Sequence, residues 1–117
     1  MLKKLSPKQL GNYGEEIATQ YYQKLGYQII GRNLHTRYGE IDLLLSKNNN
    51  IILVEVKTRR NHSFGWGEET ISETKVQHLA AAYHEIQNQS DLPANFDLEI
   101  IIIEFIDKQA KIYRLLS

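Results

Sequence analysis

Two short segments of this chain carry charged residues inside otherwise apolar stretches. The first is Gly39-Glu40-Ile41-Asp42, and the second is Val54-Glu55-Val56-Lys57. Carboxylates are the ligands that hard divalent cations prefer, and a nearby lysine can orient or deprotonate a water molecule. The two segments therefore indicate a site for cation-assisted hydrolysis, provided that the fold brings them together.

A β-hairpin would bring them together. Lys47-Asn48-Asn49-Asn50 is typical of a turn, because asparagine tolerates positive φ and bonds its own backbone. Symmetrical pairing across this turn places Ser46 opposite Ile51, and counting back places Asp42 opposite Glu55. Like charges in such a pair destabilise a sheet. A cation held between the two carboxylates would remove the repulsion, so a binding site explains the pair better than a structural role does.

Each member of the cluster has a predicted role. Asp42 and Glu55 are candidate metal ligands for Mg²⁺ or Mn²⁺, and the carbonyl of Val56 is a further candidate oxygen ligand. Lys57 shares one strand face with Glu55, about 7 Å along the strand. It could activate the attacking water or stabilise charge that develops on a phosphate.

A third acid is expected from the first predicted helix. Glu15 lies at the edge of the apolar face of this helix, whereas Glu16 projects further toward solvent. Glu15 is therefore the better candidate for reaching the site, although a solvated helix flank explains it equally well. Glu40 is an alternative ligand, but it shares strand parity with Asp42 and lies at the strand start, where a capping or turn role is favoured.

The apolar spacing predicts an α/β fold, with a mixed central β-sheet flanked by α-helices in the order α-β-β-β-α-β-β. Ser6 should cap the first helix in a capping box and Gly26 should end it. Thr70 or Ser72 should cap the second helix. The strands are expected at 27–30, 40–46, 51–58, 96–106 and 112–116, with a basic connection over 31–38 and a loop over 59–70.

Composition sets outer limits on these ideas. The chain has 117 residues, 42% of them apolar, and is predicted to form a single domain over 1–117. It has no cysteine, which excludes disulfides and thiolate metal sites. Neither a signal peptide nor a membrane-spanning run is present, so we expect a cytoplasmic protein without a membrane partner.

Basic residues near the hairpin predict contacts with nucleic acid. Phosphate contacts position a nucleic acid without reading its sequence. A solvated charged rim explains the same residues equally well. Phe64 and Trp66 could stack on an unpaired base, but packing of their loop onto the core is more common. The candidates for phosphate contacts are Arg32, Arg37, Arg59, Arg60 and Lys75, beside Lys57 and His35.

The motifs in combination resemble those of the YraN family. This family has a PD-(D/E)xK restriction-endonuclease-like fold and is similar to archaeal Holliday junction resolvases. An isolated Asp…Glu-x-Lys would be weak, but the combination is specific and covers nearly the whole chain. The matching motifs are Gly11-x-x-Gly14-Glu15 with Ala18, Gly26-Tyr27, Gly39-Glu40-Ile41-Asp42-Leu43, Val54-Glu55-Val56-Lys57-Thr58-Arg59, Phe64-Gly65 and Lys75.

This resemblance implies a Mg²⁺-dependent endonuclease that hydrolyses phosphodiester bonds in DNA, with branched or Holliday-junction-like structures as candidate substrates. It places Glu15, Asp42, Glu55 and Lys57 in catalytic or metal roles. A junction-cleaving enzyme needs two sites, which makes a homodimer attractive. The chain departs from its basic, junction-cleaving relatives in one respect, because its 14 basic and 14 acidic residues balance.

Two other functions remain open at this point. The chain could be a catalytically silent nucleic-acid-binding module that serves a larger repair or recombination complex. It could also be a purely structural interaction domain, in which Glu55 and Lys57 form an ordinary surface ion pair or guard a strand edge. The first predicts salt-dependent binding without turnover, and the second predicts neither metal nor nucleic-acid binding.

Overall fold

The structure is a computed structural model that describes residues 5–60 and 71–116 of the chain. Its order of elements, α-β-β-β-α-β-β, is the predicted one. The elements are α1 (Pro7–Lys24), β1 (Gln28–Thr36), β2 (Gly39–Lys47), β3 (Asn50–Arg60), α2 (Glu73–Asn88), β4 (Phe96–Ile106) and β5 (Gln109–Leu116).

The five strands form one mixed sheet in the order β1-β2-β3-β4-β5. Neighbouring strands are antiparallel except for β3 and β4, which are parallel and are joined through α2. A parallel pair needs such a crossover, because a short turn can only reverse the direction of a strand. The predicted α/β fold with a mixed sheet is therefore confirmed.

Both helices begin at predicted signals, and α1 also ends at one. The Ser6 side chain accepts a hydrogen bond from the Gln9 amide and the Gln9 side chain returns one to Ser6, which is a complete capping box. Gly26 follows α1 with φ of +91°, a conformation that favours glycine. Of the two candidates for the cap of α2, Ser72 is the residue whose side chain accepts from the Lys75 amide.

Each helix covers one face of the sheet. Leu10, Ala18 and Tyr22 of α1 pack with apolar side chains that include Leu43 and Val54. The α2 side has its own cluster, in which the helix residues Leu79, Ala82 and Tyr83 pack on Ile41, Leu44, Ile51, Leu53 and Leu98. The sheet is therefore buried on both faces over its central strands, which explains why residues 100–103 of β4 are all isoleucine.

Gly14 brings α1 very close to β3. A Cβ atom built at Gly14 would lie 2.0 Å from Thr58 Oγ1, so only glycine permits this approach. The next residue on the helix is Glu15, and the close packing therefore fixes how far this carboxylate lies from β3. Further along the helix, the buried Tyr22 hydroxyl donates to Glu99 Oε1 at 2.9 Å and secures the other half of α1.

Four strands are longer than predicted, although β2 (Gly39–Lys47) gains only one residue at each end. β1 continues to Thr36 through residues that we expected to form a connection, and Asn33 within it has φ of +50°. β1 is a largely exposed edge strand, so its polar residues give no apolar alternation to recognise. β3 continues to Arg60, and β5 begins at Gln109 rather than at residue 112. The predicted roles of Phe64, Trp66 and Thr70 lie outside the described residues.

The hairpin between β2 and β3 closes through Asn48 and Asn49, both with positive φ, and Lys47 pairs with Asn50. Positive φ at both central positions is characteristic of a type I′ turn. Ser46 pairs with Ile51, as the sequence predicted. Within the described ranges, neither helix has the length and apolarity needed to cross a membrane.

Candidate active site

Asp42 lies where β2 and β3 stop pairing. The paired residues run from Lys47 and Asn50 at the turn to Leu43 and Val54, and Asp42 is the next residue of β2. Its Oδ2 accepts a hydrogen bond of 2.8 Å from the Val56 amide. Continued pairing would have directed this amide to the backbone of β2. The carboxylate thus replaces the missing backbone partner at the end of the ladder.

The backbone of β2 also changes direction at Asp42. Regular alternation would place Ile41 and Leu43 on the same face of the sheet. Instead, Ile41 packs in the cluster under α2, whereas Leu43 packs in the cluster under α1. Where β1 pairs with β2, the residues on either side of Asn33 and Asp42 are paired, but Asn33 and Asp42 are not paired with each other. The irregular backbone leaves room for the Asp42 side chain between the strands.

Asp42 and Glu55 meet as an interacting carboxyl pair. Burial raises the pKa of Asp42, a hydrogen bond with Glu55 raises it further, and the Val56 amide lowers it, so the pKa is about 7. The negative charges of Glu55 and, least of all, Glu15 add to the rise. Without a cation, Asp42 therefore stays partly protonated up to neutral pH. The two acids meet in the gap between strands rather than as the regular pair that we predicted.

Glu55 and Lys57 line a surface depression at the start of α2. Its volume is about 320 Å³, and Ile71, Ser72 and Lys75 complete the lining. Lys75 Nζ lies 3.2 Å from Glu55 Oε2, whereas the structure records no ion pair for Lys57 in the part of the chain that it describes. An ammonium group that has no recorded ion-pair partner and shares a depression with Glu55 can act on a water or a phosphate.

Glu15 approaches from the α1 side. Its side chain is 12% exposed, against 48% for Glu16, which agrees with the predicted preference for Glu15. Asn33 Nδ2 donates to Glu15 Oε1 at 2.6 Å, and Arg32 Nη2 lies 3.9 Å from the same oxygen. Burial raises the pKa of Glu15, and the charge of Arg32 and the Asn33 hydrogen bond oppose that rise.

The donor atoms suit a hard cation that keeps water ligands. Among residues 5–60 and 71–116, no three His, Cys, Asp or Glu side chains cluster closely enough to hold a metal alone. Mg²⁺ commonly uses one or two carboxylates and fills its other positions with water and substrate phosphate. Asp42 and Glu55 are the residues that could supply the carboxylates. The Val56 carbonyl projects to the same side as its amide, toward Asp42.

The predicted nucleic-acid contacts separate into different environments. Arg32 is 38% exposed and pairs with Glu16 at 3.0 Å, beside the site. Arg37 is well exposed and pairs with Glu85 near the far end of α2. Arg60 donates to the Leu5 carbonyl at 2.8 Å, which ties β3 to the start of α1. Lys75 lies in the depression with Glu55.

The structure corrects the prediction for Arg59. Its side chain is only 3% exposed, and its Nε lies 3.1 Å from Oε2 of the fully buried Glu104 on β4. A side chain enclosed in this way cannot reach a phosphate on the surface. The sequence could not reveal the pairing, because the two residues are 45 positions apart.

Sequence reasoning also missed Asn33, which holds the Glu15 carboxylate. A signal was available, because asparagine adopts positive φ more readily than most residues and marks irregular backbone. The signal could not identify the partner, since Glu15 precedes Asn33 by 18 residues and lies on another element.

Comparison with known proteins identifies relatives along almost the whole chain. A UPF0102 protein of Syntrophomonas wolfei is 42% identical over 113 residues, which cover 94% of this chain and 96% of the relative. UPF0102 proteins of Alkaliphilus metalliredigens and Caldicellulosiruptor saccharolyticus are 40% and 37% identical, over 91% and 83% of this chain and 93% and 83% of theirs. A family model described as "Uncharacterised protein family UPF0102" matches residues 14–103. The chain therefore belongs to the UPF0102 family, the YraN family that its motifs resemble.

Proposed function

We propose that this protein is a divalent-cation-dependent endonuclease that hydrolyses phosphodiester bonds in DNA. The observation that carries the proposal is the carboxyl pair of Asp42 and Glu55, packed together beside Lys57. Two acids in contact, one of them with a pKa of about 7, are an unfavourable arrangement for stability alone. A site that binds a cation beside a phosphodiester would explain why the two acids are held together.

Asp42 and Glu55 would hold Mg²⁺ or Mn²⁺, with the Val56 carbonyl as a further oxygen. A bound ion of this type polarises a phosphoryl oxygen and lowers the pKa of a coordinated water. Lys57 lines the same depression as Glu55, from which it would orient the attacking water and stabilise negative charge on the phosphate. Glu15, held by Asn33, would accept hydrogen bonds from waters on the α1 side.

DNA with branches or single-stranded ends is the substrate to test first. The family's resemblance to junction-cleaving nucleases favours such structures. The balanced charge of this chain argues against tight, nonspecific binding of duplex DNA. In the part of the chain that the structure describes, only a few cations near the site can contact phosphates, which supports a substrate recognised by its shape.

Cleavage assays test the proposal directly. Junction, flap and single-stranded substrates should be cut in Mg²⁺ or Mn²⁺ and left intact in chelator. We expect Glu55→Gln to abolish cleavage and Lys57→Ala to slow it by about 100-fold or more. Two exposed residues outside the site provide matched controls, because Asp97→Asn and Lys24→Ala remove the same types of charge.

Each possible result discriminates between functions. Cleavage that survives both site substitutions would exclude this mechanism. Salt-dependent DNA binding without cleavage in either metal would instead support the accessory-module function.

A further inference from the structure

Lys75 is the residue of the candidate site whose position the proposed reaction does not explain. Its Nζ lies 3.2 Å from Glu55 Oε2, so it neutralises one of the acids that would bind the cation. In the described part of the chain, it is the only basic side chain recorded in an ion pair with Glu55. A cation bound by Glu55 would compete with Lys75 for the same carboxylate.

The helix itself does not favour a lysine at this position. Lys75 lies in the first turn of α2, where its amide donates to the Ser72 cap. The positive end of the helix dipole disfavours a cation there. The Glu55 carboxylate offsets this cost in the cation-free protein. Lys75 nevertheless remains 42% exposed, so its side chain has room to move into the depression.

We infer that Lys75 is an exchangeable counter-ion: it holds Glu55 in the cation-free protein and turns to a phosphate oxygen when Glu55 becomes a cation ligand. This inference rests on the proposed function and concerns the regulation of the same site. Lys57 lines the same depression, so the released Lys75 would join a second ammonium group there. The exchange makes the depression attractive to a phosphate only after the cation has bound.

The inference links cation binding to Lys75 in a measurable way. Removing the competing ammonium should tighten cation binding, because Glu55 no longer has to break an ion pair. A partly exposed ion pair of this kind corresponds to a change of about two- to fivefold in the dissociation constant. A lysine that bridges Glu55 and the bound ion's waters would have the opposite effect when removed.

Calorimetric titration with Mn²⁺ tests this linkage on the full chain. We expect Lys75→Met to lower the Mn²⁺ dissociation constant about two- to fivefold relative to the wild type. The control is Lys24→Met, which removes an exposed lysine from the last turn of α1. Unchanged or weaker Mn²⁺ binding by Lys75→Met would overturn the inference.

Chemical labelling gives a second readout on the unmodified protein. An amine-acetylating reagent should modify Lys75 faster when Mn²⁺ is present, because the ammonium is released from Glu55. Mass spectrometry of the labelled peptides measures the rate, and Lys24 provides an internal reference. An equal Lys75 rate with and without saturating Mn²⁺ would contradict the exchange.

DNA binding in Ca²⁺ tests the phosphate contact. With Ca²⁺ bound, Lys75→Met should make the negative slope of log affinity against log salt shallower by about 1. In chelator, where Lys75 remains on Glu55, the substitution should leave the slope unchanged. A slope that is the same for both proteins in Ca²⁺ would exclude the phosphate contact.

These results separate the inference from the proposed function. A wild-type protein that binds no Mn²⁺ would overturn both. A different outcome would overturn the exchange alone and leave the nuclease proposal standing. In that outcome Asp42→Asn abolishes Mn²⁺ binding, Lys75→Met does not change it, and Mn²⁺ does not change the rate of Lys75 labelling.

Discussion

Asp42 is placed so that its ionisation opposes folding unless a positive charge is close. The side chain is partly buried and lies next to Glu55, and both features favour its neutral form. The single opposing hydrogen bond, from the Val56 amide, does not restore an ordinary pKa. Ionisation of Asp42 therefore lowers the stability of the cation-free protein, and a bound divalent ion would remove this cost.

This cost should appear as a pH dependence of stability. The pKa of Asp42 rises from an ordinary 3.8 to about 7 on folding. Between these values the folded protein keeps a proton that the unfolded chain releases, so the free energy of unfolding falls as pH rises. The contribution is at most about 1.4 kcal/mol per pH unit. Asp42→Asn should therefore gain stability relative to wild type from pH 5 to pH 7, measured by urea unfolding in chelator.

The exposed Asp97 provides the control, because Asp97→Asn should show no such trend. A stability difference between Asp42→Asn and wild type that stays constant or shrinks over this pH range would contradict the raised pKa.

At the residue scale, the sequence was informative where partners are local. The turn set the register, and the register identified Asp42 and Glu55. The partners of Arg59 and Glu15 lie on distant elements, and no local pattern encodes them.

At the scale of elements, Gly14 controls the approach of α1 to β3. Alanine there would place a Cβ atom against Thr58, 2.0 Å from its hydroxyl oxygen. Both contact partners belong to regular elements, so the helix must shift, at a cost of about 1–3 kcal/mol. We expect Gly14→Ala to lower the urea midpoint accordingly. Because Glu15 follows directly, the same shift should weaken Mn²⁺ binding.

Gly11 provides a matched control on the same helix. A Cβ atom at Gly11 would meet nothing within 4 Å. Gly11→Ala should therefore stabilise the protein by about 0.5–1 kcal/mol, since alanine suits a helix interior better than glycine does. If both alanine variants changed stability in the same direction, close packing at Gly14 would not be the reason that it is glycine.

The elements themselves were predictable where the signal is short-range. Ser6, Gly26 and Ser72 act on neighbouring backbone groups, so the helix ends follow from the sequence. The extent of β1 was not predictable in this way. Its residues through Thr36 are held by pairing with β2, and their polar character matches an exposed connection equally well. Tertiary pairing rather than intrinsic preference makes them a strand.

For the whole molecule, the distribution of charge matters more than its sum. The 14 basic and 14 acidic residues cancel, so no long-range field attracts DNA. Arg59 is enclosed with Glu104, and Arg60 binds the Leu5 carbonyl. Among residues 5–60 and 71–116, the cations that remain near the site are Arg32, Lys57 and Lys75. The proposed binding to DNA must therefore depend on a small number of phosphate contacts.

This small number predicts a shallow salt dependence. Each neutralised phosphate of duplex DNA contributes about −0.9 to the slope of log affinity against log salt, so three contacts give about −3. Fluorescence anisotropy between 50 and 200 mM salt, in Ca²⁺ to prevent cleavage, measures it. Lys57→Ala should make this negative slope shallower by about 1, whereas Lys24→Ala on the last turn of α1 should not change it. A slope steeper than about −6 would require a larger basic surface than these three residues provide, and the site would then not be where DNA is held.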